Sequence, residues 1–221
     1  MHTFQFKDRD SQCYIRLGLM HHLLVHESTE TSSQGQHAVP RVIGFYDKKS
    51  PFAEFSNFHY APFVFHLPEV ACNSGWSHVI YCEVAEKAIM LVKAALMEDR
   101  DSFEEMITTT DPAAVKQLGR EVTNFDQEKW NEHIEAVAFE VVKQKFESSM
   151  PLKDLLLSTG EDILAEATQN DSIWGIGMNI DDHRVQDPEQ WLGCNILGEA
   201  LMLVREHLRF TDSEPSAGVK G

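Results

Sequence analysis

The side chains best suited to chemistry sit in separate stretches of this chain. Glu86 and Lys93 lie nearly two helical turns apart, so both project from one side of a helix with Met90 between them. A carboxylate and an amine at the edge of an apolar stripe form a reactive pair when partial burial changes both pKa values. The same spacing also fits two solvated charges. A second stretch runs from Asn170-Asp171-Ser172-Ile173-Trp174-Gly175-Ile176-Gly177 to Trp191-Leu192-Gly193-Cys194-Asn195-Ile196-Leu197-Gly198. A carboxylate, two indoles, an amide and four glycines suit a cleft wall that grips a ring and a sugar. Trp offers a flat face there, and Gly lets backbone approach a ligand. Core tryptophans and glycine turns explain that composition as well.

Two further stretches carry weaker signals. Phe55-Ser56-Asn57-Phe58, with Pro62-Phe63 following, combines aromatics with an amide that both donates and accepts, as a sugar-facing loop would. A hydrophobic turn formed at Asn57 is the plainer reading. Lys116-Gln117-Leu118-Gly119-Arg120 places two cations near a glycine, fit for a phosphate or for a helix C-terminus with solvated charges. Asp181-Asp182-His183 reads as a solvated acidic loop, and the histidines at 21, 22, 26 and 37 lack ligand spacing, so no metal is expected. The chain has no G-x-x-x-x-G-K-[ST], H-E-x-x-H or G-x-S-x-G motif, and Gly175-Ile176-Gly177 lacks the third glycine of a dinucleotide fingerprint.

Several elements must bring these stretches together. Val42 to Tyr46 and Trp76 to Tyr81 read as short strands. Ala85 to Met97 has a helical apolar stripe. Asp126 is a good N-cap for a longer helix that sets Trp130, Ile134, Val137, Val141 and Lys145 close to one line. Leu152 to Leu157 forms a short helix stopped by Thr159-Gly160, and Asn195 to Leu208 forms the last. Few strands and several helices predict an α+β class: a compact, mainly helical domain with a small β-sheet.

Composition bounds the rest. At 221 residues, 43% apolar and 24% charged, the chain suits a soluble globular domain. A net charge of −16 repels a phosphate backbone at long range, so extended nucleic acid is disfavoured as a partner and a small ligand is expected. The apolar run Ile15 to Val25 is broken by Arg16, Gly18, His21 and His22, so neither a secretory signal nor a membrane span is expected and the location reads as cytoplasmic. Four cysteines without a C-x-x-C pair read as reduced, mostly structural thiols. The expected organisation is an N-terminal extension and linker at 1–40, a folded domain at 41–210 and a flexible tail at 211–221.

Taken in order, these pieces resemble the NADAR (NAD and ADP-ribose) superfamily and its YbiA-like N-glycosidases over about residues 42 to 208. The ordered elements are Phe45-Tyr46, Phe55-Ser56-Asn57-Phe58, Glu86 with Lys93, Lys116-x-x-Gly119-Arg120, Phe125-Asp126 and Trp130, and Lys145-Phe146. They continue with Thr159-Gly160, Asp171-x-x-Trp174-Gly175-x-Gly177 and Gly193-x-Asn195-x-Leu197-Gly198. The resemblance implies hydrolysis of an N-glycosidic bond between a ribose-type sugar and a base. Glu86, Asp171 and Lys93 would be catalytic, Lys93 either binding a phosphate or attacking the sugar carbon to form a transient imine. Trp130 and Trp174 would pack around base or ribose, Asn57 with Asn195 would hold hydroxyls and Arg120 a phosphate; Phe58, Gly175 and Gly177 complete the substrate-binding set. No cofactor is implied. The implied ligand is a small phosphorylated riboside, such as an early intermediate of riboflavin synthesis, or an ADP-ribose-type ligand such as ADP-ribosyl-guanine. The chain departs from the family pattern at Lys87, where His is usual, which motivates a reading of another class: a non-catalytic ADP-ribose or NAD-binding module.

Overall fold

The structure is a computed structural model, and it describes residues 40–46 and 50–213. The expectations for the extension and for the histidines within it fall outside the described residues. A central helix, α1 (Ala85–Leu96), is the element around which the others pack. Ten of its residues are buried, including Glu86 and Lys87, so it is covered all round where its pattern suggested one apolar stripe. Ala88, Ala94 and Ala95 keep it slim enough for neighbours on every side.

Those neighbours are α2 (Arg100–Thr108), α3 (Pro112–Glu121) and α4 (Gln127–Glu147). Each starts at an aspartate whose carboxylate accepts free N–H groups of the first turn: Asp99, Asp111 and Asp126. The α4 cap falls where the sequence predicts it, with Asp126 Oδ1 accepting from Glu128 N at 2.9 Å and Lys129 N at 3.0 Å. After α5 (Met150–Ser158), Gly160 takes a left-handed φ of 56° and turns the chain into a strand. The last helix, α6 (Ile196–Ser213), begins one residue after Asn195, whose own φ is 53°, and runs into the segment expected as a tail.

The strands form two separate ribbons rather than one sheet. β1 (Val42–Phe45) pairs in parallel with β4 (Ile163–Glu166), Phe45 opposite Glu166. β2 (Phe63–His66) pairs antiparallel with β3 (Val79–Cys82), burying Phe63, Phe65, Ile80 and Cys82. Gln144 of α4 covers the outer edge of β2, its amide exchanging hydrogen bonds with His66 N (2.7 Å) and His66 O (3.0 Å). Trp76, expected in the second strand, instead packs against Phe103 with centroids 4.8 Å apart. β4 escapes the alternation rule because it is buried through its middle on both faces, whereas β2 alternates in burial but not in polarity, since its exposed Val64 is apolar. Cys72 and Cys82 are free thiols. Among the described residues, no helix is long and apolar enough to cross a membrane.

Lys145 is wholly buried on the inner line of α4, its ammonium donating to Glu54 O at 2.7 Å and Ser56 O at 2.9 Å. It thereby pins the 53–58 loop, whose aromatic anchor Phe55 packs on Phe45 and Phe146. Desolvation lowers its pKa from 10.5 to about 7, with Glu54 opposing. Between those values the unfolded chain binds more protons than the folded one, so this group makes stability rise with pH by up to about 1.4 kcal/mol per unit. Lys145→Met leaves two carbonyls unpaired, and it lacks that rise. Urea unfolding will therefore show the stability of wild type relative to the variant increasing by about 2 kcal/mol from pH 7 to 9. A constant gap would remove this account of the buried amine.

Candidate functional site

A cavity of about 660 Å³ opens where the C-terminal ends of β1 and β4 meet the start of α1. That volume is in the range of small-ligand pockets and accommodates a phosphorylated nucleoside. One wall is the loop at 53–59, which contributes Ser56, Asn57 and Phe58. Asn57 O accepts from Glu86 N at 3.0 Å, satisfying an orphan N–H of the α1 N-terminus and locking the loop to the helix. Asn57 is 5% exposed, and its Oδ1 has no hydrogen-bond partner among the described residues. A buried acceptor in a pocket wall is what a ligand N–H or O–H would satisfy.

The second wall is α1 against α3. A Cβ on Gly119 would collide with the Met90 side chain, so glycine at this position allows the two helices to approach closely. Their closeness sets Lys116 and Arg120 opposite Glu86 and Lys93 along the cavity. Lys116 Nζ is 3.6 Å from Glu86 Oε1 and 4.8 Å above the Phe58 ring. Lys93 Nζ donates to Gly119 O at 2.6 Å and sits 4.3 Å from the Phe125 centroid. Burial raises the Glu86 pKa, against the pull of Lys116 and with the push of Asp171. Burial lowers the Lys93 pKa, with Glu86 resisting.

The third wall follows β4. Asp171 Oδ1 accepts from Ile173 N at 2.9 Å and Trp174 N at 2.8 Å, an Asx turn that fixes the carboxylate and presents Trp174 to the cavity beside Thr168 and Asn170. Glu166, the last residue of β4, also reaches the cavity, and its Oε2 is buried without a partner. Desolvation, then the charges of Asp171 and Glu86, push its pKa up to about 8, Lys116 opposing. The signal for Glu166 lies in an acidic residue closing the short apolar run Ile163-Leu164-Ala165 just ahead of Asp171, a run too short to show a strand period in sequence.

The cavity thus gathers Glu86, Lys93, Asp171, Asn57, Phe58, Arg120 and Trp174 from the sequence-predicted set. Trp130, Gly175, Gly177 and Asn195 lie elsewhere. Trp130 is packed in the core with Ile134 and Val137 because the inner line of α4 faces α1 rather than the ligand space. Gly175 abuts the Glu166 carbonyl, where a Cβ would fall 2.6 Å from that oxygen, and Gly177 turns with φ 69° against Leu192. Asn195 is buried and acts on backbone: its Nδ2 donates to Leu164 O at 2.8 Å and its Oδ1 accepts from Glu166 N at 3.1 Å. Trp191, the second indole of the proposed wall, fills a small separate core with Val42, Ala165 and Ile176. Asp182 caps a short turn and pairs with Arg184 at 2.6 Å. Lys87 points away from the cavity, its ammonium held by Glu83, Ile107 O and Thr109 O, so the departure at this position leaves the site untouched.

Residues 44–209 match the profile of the NADAR domain. The chain belongs to the NADAR family. It is 37% identical over 123 residues to the N-glycosidase R617 of Acanthamoeba polyphaga mimivirus, covering 55% of this chain and 72% of that protein. It is 34% identical over 118 residues to the riboflavin biosynthesis protein VVA0006 of Vibrio vulnificus, covering 53% of this chain but 29% of that protein. The NMR structure of YbiA from E. coli matches with a TM-score of 0.62 at 26% identity, over 83% of this chain and 95% of that one. The α+β fold of this NADAR domain is therefore the YbiA-like fold, with six helices among the described residues.

Proposed function

We propose that this NADAR protein hydrolyses the N-glycosidic bond of a ribosylated, phosphorylated base. The observation that supports it best is the convergence of acidic, cationic and aromatic groups from distant stretches on one cavity. Relatives named N-glycosidase point the same way. Breaking a C1′–N bond develops positive charge on the sugar, and a fixed carboxylate beneath it lowers the barrier. Asp171 suits that role, since its Oδ1 is tied to two backbone N–H groups and its position is set before any ligand arrives. Glu86, whose raised pKa makes it a better proton acceptor, takes the proton of the attacking water. Lys116 and Arg120 face a phosphate, Trp174 and Phe58 flank a ring, and Asn57 Oδ1 accepts from a hydroxyl or amine.

Lys93 carries a second reading, favoured by its lowered pKa: the neutral amine attacks C1′ and forms an imine that water then cleaves. Incubation with ribosylaminouracil phosphate and with ADP-ribosyl-guanosine, each with and without cyanoborohydride, tests both points. Release of free base supports the glycosidase, and the phosphorylated aminouracil riboside is the substrate expected to react faster. A sugar adduct on Lys93 that forms only with reductant assigns the amine as nucleophile. Tight binding of ADP-ribose with no base released from either compound would instead support a binding module.

A further inference from the structure

The carboxyl of Glu166 is neither part of the sequence-predicted set nor used in the chemistry above, yet it lines the cavity with a buried oxygen that has no hydrogen-bond partner among the described residues. Its backbone is clamped on both sides. Glu166 N donates to Asn195 Oδ1, and Glu166 O accepts from Thr168 N at 3.1 Å and Ile176 N at 2.9 Å. With Gly175 pressed on its carbonyl and Phe45 opposite in the ribbon, the residue cannot turn away. Its side chain is therefore aimed into the ligand space by rigid backbone rather than by side-chain contacts.

Hydrogen-bond accounting separates the three acids. Glu86 has the Lys116 ammonium beside it, and Asp171 accepts two backbone N–H bonds, so each has a partner that wants an acceptor. Glu166 Oε2 has none among the described residues. A buried oxygen without a donor is costly as an anion, and a carboxylic acid, which carries its own O–H, resolves that cost once a ligand acceptor arrives. The geometry points to Glu166 as the proton donor to the departing base, an inference that rests on the glycosidase reading. The C1′–N bond breaks with its electron pair going to the base, which takes the Glu166 proton. Water bonds to C1′ and gives its proton to Glu86, and both carboxyls exchange with solvent before the next turnover, so one water is consumed. The charged groups around Glu166 agree: Asp171 and Glu86 hold its proton on, Lys116 pulls against them, and Tyr46, Lys93 and Arg120 line the same cavity.

The test compares two ribosides sharing ribose 5-phosphate: one with an aminopyrimidine base that must be protonated to leave, and one with 4-nitrophenolate, which leaves unaided. For Glu166→Gln, an isosteric change, kcat/KM on the aminopyrimidine riboside should fall at least about 100-fold, with less than about tenfold loss on the nitrophenyl riboside. A wild-type measurement guards against a variant that does not fold. The aminopyrimidine reaction should lose rate as pH rises through about 8, a limb absent with nitrophenolate. Equal losses on both substrates, or the same basic limb with both, would overturn the assignment of Glu166. If wild type cleaves neither riboside, the glycosidase reading itself fails.

Discussion

Asp171→Asn will leave the fold intact and lower turnover by about 10²- to 10³-fold. Asparagine retains Oδ1, so the acceptor for Ile173 N and Trp174 N survives and the turn that presents Trp174 stays formed. What disappears is the negative charge facing the sugar. A preorganised charge of this kind contributes roughly 3–4 kcal/mol to an ionic transition state in an enclosed site, equivalent to a factor of 10² to 10³. Removing it also relieves Glu86 and Glu166 of a repelling neighbour, since Asp171 raises the pKa of both. The loss should therefore fall on kcat with little change in KM, and the wild-type decline in rate near pH 8 should move to lower pH. Steady-state kinetics across pH, with thermal unfolding as the control, decides it. A variant that turns over within tenfold of wild type would mean that Asp171 only shapes the loop.

Gly198→Ala will cost about 3 kcal/mol of stability, the largest effect expected from adding a single methyl group. A Cβ on Gly198 would overlap the Leu164 carbonyl oxygen and the Asn195 amide. The first of these is backbone and the second is the clamp that bonds both Leu164 O and Glu166 N. Either α6 shifts off β4, or Asn195 loses two buried hydrogen bonds at about 1 kcal/mol each on top of the overpacking strain. For a domain of this size the melting temperature should drop by about 6–12 °C. Activity at temperatures where the variant is still folded should fall too, because Glu166 is positioned through Asn195. A variant with wild-type melting temperature would show that α6 and β4 can part without cost.

The helical inventory was largely readable from residue order. Asp126 as a cap, the apolar spacing along α4 and the Thr159-Gly160 stop act within a few residues of where they stand, so local stereochemistry is enough to place them. The ordered motifs likewise brought Glu86, Lys93, Asn57, Arg120, Asp171 and Trp174 forward, and all six line the cavity. Folding alone decided which of the remaining polar and glycine positions serve ligand and which serve backbone. Asn195 and Gly175 carry the residue types of a ligand-binding loop, yet they hold Glu166, because β4 is built from a four-residue run whose partner, β1, lies more than a hundred residues earlier. A strand so short has no periodicity of its own to detect; it exists through pairing. Glu166 therefore became visible only when that pairing carried its carboxyl to the cavity, and Lys145 became a buried amine only because the 53–58 loop crosses α4 there. Short-range rules set the elements in this protein, while burial and long-range hydrogen bonds set the chemistry of the acids and amines upon them.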